Sequence, residues 1–548
     1  MSRRVPQILL LSFVALISLF INPMDLGAAD LVVKVKETHQ TMVGFGAAIA
    51  WGGDQLASHP KKDEIYNLII NDLGLDILRL RNSFRYGKVE DSTYTPKNVA
   101  ALRALSNDNL KILLTSWSPE AGLKSNYTRE NGGTIRQDKN GNYRYGSFAK
   151  YWTDAVTGYA RFGVVADYIS IQNEPNYVAT WESCILDPTE NPTNAGYNKA
   201  LDSVYTAIQD IAIHPKLLGT EVAGIGNNSF QNYARNLNKN HLDAYAYHLY
   251  NGGSGSNSSI DPDAFKANLA SIARSYSDKP IFMSEYDYGD WLQTGWLIHN
   301  CINDGNVSGY IWWQLVWGAG GKPLIEMQSS TYSISKYYWT LRQFSKYISN
   351  GWTRVTAESD TTALKCSAFI SPDGKNVTMV VMNIGSESQT RNLAVQDFTV
   401  TTGRVVCTTD SGNGVLVDST LTFPSSINFP ARSITTIALY GKVATEVHDQ
   451  HRLSPAEYSL SQNFPNPFNP STTIEYTLPR DGFVSLKVFD LLGRETATLV
   501  HGVQQSGPHT ITWNSVNQAQ GVSMKSGVYF YTITAGQFTQ TRKMILIK

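Results

Sequence analysis

Two acidic residues in this chain stand where strand-like runs end. Glu174 closes the run before Pro175 in Ile169-Ser-Ile-Gln-Asn-Glu-Pro175, and Glu285 closes Pro280-Ile-Phe-Met-Ser-Glu285. Pro175 cannot donate to a ladder and pushes the residue before it out of helical geometry. Glu174 is therefore expected at the carboxyl end of a buried strand, with its side chain at the mouth of a fold. Two carboxyls facing each other across one mouth can divide acid and base work. One stays protonated to assist a leaving oxygen, and the other stays ionised to attack or to activate water. Taken singly, each glutamate reads equally well as half of a structural ion pair. Both together, on strands of one barrel rimmed by aromatics, favour catalysis.

The elements that must position them are eight apolar runs separated by helix-period segments: Gly44–Ala50, Asp76–Arg81, Lys111–Trp117, Tyr168–Pro175, Lys216–Glu221, Ala244–Tyr250, Pro280–Glu285 and Gly309–Leu315. Between them, Pro60–Leu73 carries Ile65, Leu68, Ile69 and Leu73 on one face, with Gly74 placed to stop it. Phe148, Tyr151, Trp152, Ala155, Tyr159 and Phe162 also recur at helical spacing and read as helix-to-barrel packing. This alternation predicts an α/β fold, a (β/α)8 barrel. A doubly wound sheet is the alternative, but no Gly-x-Gly-x-x-Gly turn follows an early strand, and no cofactor is expected.

In a barrel, catalytic side chains come from the carboxyl ends of different strands. Period-two geometry puts Arg79 and Arg81 on one face of the second strand and Leu78 and Leu80 on the other. An arginine aimed inward would hold the attacking carboxylate ionised or simply neutralise a buried acid. Trp117, His248, Tyr250, Trp312 and Trp313 fall at strand ends. Trp117 and one of the Trp312–Trp313 pair suit sugar stacking, and alternation sends the other into the helix layer. His248 is read either as a hydrogen-bonded core residue or as a cleft residue. No His, Asp or Glu cluster has metal-ligand spacing, so no metal is expected.

From about Gly351 the pattern becomes short alternating runs with turns such as Ser371-Pro-Asp-Gly374, an antiparallel β-sandwich. Leu31–Val35 has no barrel partner and could join it. Lys442–Pro455 is polar and unpatterned, and a second small β unit follows. The N-terminus has Arg3 and Arg4, an apolar run from Ile8 to Ile21 and Gly27-Ala-Ala29. It reads as a signal peptide cleaved near Ala29, with a membrane anchor the weaker alternative. Of the four cysteines, Cys366 and Cys407 share one β region and are the pair to test for a disulfide.

Lys+Arg and Asp+Glu both total 46, a formal net charge of zero that argues against nucleic-acid or polybasic membrane binding. The 12 Trp and 29 Tyr imply either a large core or a surface that stacks on sugar rings.

Gly44-Phe-Gly46, Leu78-Arg-Leu-Arg81, Ser116-Trp-Ser-Pro119, Gln172-Asn-Glu-Pro175, Met283-Ser-Glu285 and Tyr310-Ile-Trp-Trp313 resemble, in order, glycoside hydrolase family 30. The resemblance is closest to its bacterial xylanase and glucuronoxylanase branch and spans residues 40 to 440. It implies a barrel fused to a β-sandwich that takes strands from both ends of the catalytic region. It also implies a retaining mechanism, with Glu174 as acid/base, Glu285 as nucleophile, Arg79 orienting Glu285, Asn173 on the sugar 2-hydroxyl and Trp117 lining the cleaved-sugar subsite. Two places depart from that branch. Gln314-Leu-Val-Trp317 and Ser335-Lys-Tyr-Tyr338 replace runs whose cations bind a glucuronate branch, so strict dependence on glucuronate is not expected. Ser118-Pro-Glu-Ala-Gly122 stands where relatives carry a second tryptophan.

Leu460–Thr473, Val488-Phe-Asp-Leu-Leu-Gly-Arg494 and Gly527-Val-Tyr-Phe-Tyr531 resemble the type A sorting domain of type IX secretion. A carbohydrate-binding module is the weaker reading, because the aromatics fit strand cores. The implied order is a signal peptide (1–29), a strand joining the sandwich (30–41), a catalytic barrel (42–348), a β-sandwich (349–441), a linker (442–456) and a C-terminal sorting domain (457–548). Together these imply a monomeric, secreted or surface-attached, retaining endo-β-1,4-xylanase. Its partners would be xylan or a related β-linked polysaccharide and the outer-membrane secretion machinery. The alternatives are a β-1,6-glucanase, a glucosylceramidase-like β-glucosidase, or a non-catalytic polysaccharide-binding surface protein.

Overall fold

The computed structural model describes residues 30–318, 320–421, 425–444, 458–517 and 522–547. The expected signal peptide and most of the expected linker lie outside the described residues. The chain divides into two compact units, 1–444 and 445–548.

After β1 (Leu31–Thr41), eight parallel strands close a barrel in chain order. They are β2 (Gly44–Ile49), β3 (Ile77–Arg81), β4 (Lys111–Thr115), β5 (Tyr168–Ser170), β6 (Lys216–Val222), β7 (Ala244–His248), β8 (Ile281–Glu285) and β9 (Val307–Trp312). Several of the expected runs are cut short at their carboxyl ends: β2 stops at Ile49, β4 at Thr115 and β7 at His248. The ladder of β5 stops at Ser170, so Gln172–Glu174 lie beyond the strand, and β9 ends at Trp312.

Alternation sorts these strands into two cores. Ile77, Leu113, Tyr168, Leu218, Ala244, Ala246, Phe282 and Ile311 form an apolar plug inside the barrel. Their neighbours Leu78, Leu80, Ile112, Leu114, Tyr245, Tyr247, Tyr310 and Trp312 join the larger core beneath the helices. Counting upward by twos from the plug puts Arg79, Thr115, His248 and Trp313 above its floor. The plug therefore gives the site a dry base.

The first crossover contains α1 (Lys62–Asn67), continued in wider turns through Leu73 and stopped by Gly74 in the left-handed region at φ 75°. In α2 (Tyr145–Ala160), Phe148, Tyr151, Trp152, Ala155 and Tyr159 are buried against the barrel. Phe162, expected on the same stripe, lies past the helix end and is exposed. Two further helices, α3 (Trp291–Asn303) and α4 (Lys336–Ser345), carry the side domain.

That domain is a nine-stranded sheet built from β1 with β10 (Thr353–Ser359), β11 (Leu364–Ile370), β12 (Asn376–Asn383), β13 (Gln389–Gln396), β14 (Phe398–Thr409), β15 (Val415–Asp418), β16 (Ser425–Phe429) and β17 (Ser433–Val443). Its order is β15-β14-β17-β12-β11-β10-β1-β13-β16, antiparallel throughout except for the β1–β13 pair. Alternate residues serve two cores. Val377, Met379 and Val381 fill the domain's own interior, whereas Val380, Met382 and Ile434 pack into the barrel core. Gln343 of α4 stitches the two together, donating to Thr408 Oγ1 at 2.7 Å and accepting from Thr436 Oγ1 at its backbone carbonyl at 2.6 Å.

Cys366 and Cys407 are not a disulfide; all four cysteines are free and buried. Cys366 lies on β11 and Cys407 on β14, with β12 and β17 between them. Three strand spacings come to roughly 14 Å, about twice the Cα reach of a disulfide.

The second unit packs a three-stranded sheet containing Ser471–Leu478 and a four-stranded sheet containing Gly482–Phe489 and Gly527–Ala535 around one core. Trp513, Tyr529 and Tyr531 are buried in it, so these rings are core rather than a sugar-binding face. Among the described residues no helix is long and apolar enough to cross a membrane.

Gly44 at the start of β2 has φ 130°, and a Cβ there would meet Asp76 Cβ at 2.4 Å. Gly44→Ala is expected to cost about 2–5 kcal/mol from backbone strain plus overpacking, read as a lower urea midpoint. A midpoint equal to wild type would contradict this packing.

Candidate active site

The segment after β5 leaves the ladder but is held by its neighbours. Gln172 Nε2 donates to the Trp117 carbonyl at 2.7 Å. The Asn173 N–H donates to Ser116 O at 2.7 Å, and the Glu174 N–H to Glu221 O at 2.9 Å. Glu174 itself sits at φ 45°, in the left-handed region, instead of the extended conformation that a following proline favours. A non-glycine residue held there stores about 1–3 kcal/mol of strain, and these bonds are what hold it.

Glu285 reaches the site by a different device. Strict alternation from inward Phe282 through Ser284 would send Glu285 toward the helices. The β7–β8 pairing shifts register between Met283 and Glu285, which turns its carboxylate back over the barrel.

A fully buried arginine ties the two segments together. Arg79 Nη1 donates to Glu285 Oε2 at 2.6 Å and Nη2 to Asn173 Oδ1 at 2.7 Å. Its Nε donates to Thr115 Oγ1 at 3.3 Å, and the guanidinium lies 4.6 Å from the Trp117 ring centroid. Tyr250 O–H donates to the other Glu285 oxygen at 3.1 Å. His248 faces Glu174 through Nδ1 at 2.9 Å, while its Nε2 is 3.8 Å from Glu221 and 4.0 Å from Glu285. Arg79, Asn173, Glu174, His248, Tyr250 and Glu285 thus form one cluster, in which His248 is a fully buried, hydrogen-bonded residue beneath Glu174 and does not itself line the cleft. Arg81 shares Arg79's face of β3 but sits nearer the rim, where it pairs with both oxygens of Glu182 at 3.0 Å.

A third acid, Glu221, completes the cluster. It is fully buried on β6, 3.2 Å from Arg79 Nη2, at a register shift between Thr220 and Val222. The run Lys216–Glu221 ends in a glutamate just as the other two do, so the same signal identifies it. Burial alone would raise its pKa, but Arg79 and then His248 hold it at about 2. Burial likewise opposes charge on His248, yet Glu285, Glu174 and Glu221 together hold it up at about 9, making it an imidazolium at neutral pH. Burial pushes Glu285 above the ordinary carboxylate value, opposed by His248 and Arg79 and helped by the Glu174 charge.

Donor-capable atoms of Glu174, His248 and Glu285 lie within 4.8 Å of one another, a cluster that spacing along the chain does not announce. Arg79 and protonated His248 already supply its positive charge, and His248 would have to lose a proton to ligate a metal.

Above the carboxylates opens a cavity of about 700 Å³. Trp51, Trp117 and Trp313 line one side with ring centroids 5.5–6.0 Å apart. Tyr177, Trp181, Tyr288, Asp287, Gln314 and Trp317 also line it. Trp312 does not. It stacks on Tyr337 at 5.3 Å beneath the helices, because inward Ile311 forces Trp312 outward and Trp313 inward. Trp51 directly follows the first strand-like run and carries the signal that marked Trp117; Tyr177 and Trp181 lie on a loop with no periodic signal.

Residues 351–437 match the model described as "Glycosyl hydrolase family 30 beta sandwich domain", and residues 462–548 match "Secretion system C-terminal sorting domain". The chain is 26% identical over 449 residues to glucuronoxylanase XynC of Bacillus subtilis (strain 168), covering 76% of this chain and 92% of that protein. It is 22% identical over 416 residues to the endo-1,6-beta-D-glucanase neg1 of Aspergillus fumigatus, covering 64% and 80%. In fold it is similar to the glycoside hydrolase family 30 subfamily 8 xylanase Xyn30A of Clostridium acetobutylicum, with a TM-score of 0.60 and 23% identity over 75% of this chain and 99% of that one. The chain thus carries a family 30 β-sandwich beside a barrel folded like the family's xylanases, followed by a secretion sorting domain.

Glu221→Gln removes one counter-charge from buried Arg79 and His248. It is expected to cost about 3–5 kcal/mol of stability and to lower the His248 pKa, followed by imidazole proton NMR. Because His248 binds its proton more tightly in the folded chain, its stabilisation is complete below its ordinary value of 6.5 and is lost as pH rises through about 9. His248→Gln should flatten the stability–pH curve across that window, and an unchanged slope would contradict the pairing.

Proposed function

We propose that this protein is a secreted, retaining endo-β-1,4-xylanase. The observation that carries the reading is the approach of Glu174 and Glu285 oxygens to within 4.8 Å beneath a tryptophan-lined cleft. Retaining glycosidases hold their carboxyls about 5–5.5 Å apart, and inverting ones leave about 6.5–9.5 Å for a water.

Hydrogen bonding supports the division of labour. Both oxygens of Glu285 accept from donors, Arg79 and Tyr250, so a proton on either would displace one. Glu285 is therefore the nucleophile that attacks the anomeric carbon. Glu174 has Oε1 engaged by His248 and is open to the cavity. It protonates the leaving oxygen and then, as carboxylate, takes a proton from the water that releases the glycosyl-enzyme. Arg79 fixes Asn173 with its oxygen turned inward, which leaves the amide N–H₂ to donate to the sugar 2-hydroxyl. Trp117 and Trp313 offer the faces on which sugar rings stack.

The glucuronoxylanases among the curated relatives and the likeness in fold to a family 30 xylanase support xylan as the substrate. Among the described residues lining the cavity none is Lys or Arg, so no bidentate partner awaits a uronate branch, and glucuronate is not required. The sorting domain supports export with release or surface attachment.

Unbranched xylan, glucuronoxylan and β-1,6-glucan, incubated with wild type, Glu174→Gln and Glu285→Gln, test this. Xylan should be cut internally with the β-anomer released first, seen by NMR. Glu174→Gln should lose about 10²–10⁴-fold on xylan but far less on aryl glycosides with good leaving groups, whereas Glu285→Gln should lose activity on both. Cleavage of β-1,6-glucan alone would overturn the substrate, and equal losses on aryl glycosides would overturn the roles.

A further inference from the structure

We infer that Asp287 is a specificity-determining residue that discriminates against uronate-bearing chains by charge, directing the enzyme to neutral stretches of its polysaccharide. The inference rests on the glycosidase reading above and goes beyond it. Lack of a uronate-binding cation makes the branch unnecessary; Asp287 makes it unfavourable.

Asp287 lies two residues past Glu285 and lines the same cavity as Glu174, Asn173 and Trp313. Its partly buried carboxylate enters none of the described hydrogen bonds or ion pairs, in a site where the other acids are all engaged. Lys322 is close enough for its charge to be felt, but its ammonium is committed elsewhere. It donates to the carbonyls of Asn257 and, at 2.8 Å, Gly289, and lies 5.6 Å from the Tyr337 ring centroid. The charged residues among the described lining are all acidic: Glu174, Glu285 and Asp287.

An unpartnered carboxylate at a sugar-binding wall accepts hydrogen bonds from hydroxyls and repels a second carboxylate across a low-dielectric cleft. Burial and the Glu285 charge hold Asp287 up at about 7, so it is ionised in mildly alkaline solution. Because the repulsion depends on charge and not on bulk, removing the charge from the branch should abolish it while leaving the branch's shape.

The test compares glucuronoxylan with the same polymer after its uronate carboxyls are reduced to neutral glucosyl branches, at pH 8. Wild type should show kcat/KM at least fivefold higher on the reduced polymer, and Asp287→Asn should bring that ratio to within twofold of one. A wild-type ratio near one, or a ratio that survives in Asp287→Asn, would overturn the proposal. Quenching of cleft tryptophan fluorescence by the two polymers gives the same ratio without turnover. A protein that cleaves no xylan therefore fails the xylanase reading, whereas equal binding of charged and reduced polymers fails this one.

Discussion

The guanidinium of Arg79 is the interaction on which the rest of the site depends. It is wholly buried, and taking such an ion from water costs several kcal/mol unless its protons and charge are met. They are met from four barrel segments: Glu285 at the end of β8, Glu221 on β6, Asn173 after β5 and Thr115 on β4. One cation thus sets the spacing between the proposed nucleophile and the loop that carries the proposed acid. His248 plays the complementary part beneath Glu174. With Arg79 and His248 charged, three carboxylates can crowd one barrel mouth at a net charge of minus one, which falls to zero when Glu174 carries its proton.

The fold supplies what this arrangement needs. The apolar plug from Ile77 to Ile311 keeps water from beneath the charges, so the ion pairs act at low dielectric. Register shifts in β6 and β8 bring Glu221 and Glu285 out of phase with their strands and over the barrel. The tryptophan wall then covers Arg79 and leaves the carboxylates as the polar floor of a flat-sided cleft.

Much of this was legible in the residues. Apolar runs separated by helix-period stretches reveal a barrel, and strict alternation brings Arg79, Trp117, His248 and Tyr250 inward. What was not legible follows from where alternation fails. A register shift turns Glu285 over the barrel, and period two gives no sign of it. Glu174 sits beyond its ladder, in a backbone conformation that the following proline disfavours. The Trp312–Trp313 pair announced one inward ring, but only the plug residue Ile311 sets the phase. Cys366 and Cys407 share a sheet, and only the strand order parts them. Glu221 was open to view, the last residue of its run; its partner Arg79 lies over a hundred residues away in sequence, and nothing local pairs them.

Glu285, held by Arg79 and Tyr250, is the proposed nucleophile among three crowded glutamates. Intact-mass and peptide mapping after reaction with an activated 2-deoxy-2-fluoro-xylobioside test it most directly, because the fluorine slows release of the covalent glycosyl-enzyme. A single glycosyl adduct is expected on Glu285 and none on Glu285→Gln. An adduct on Glu221 or Glu174, or none on a protein that still cleaves xylan, would contradict that assignment.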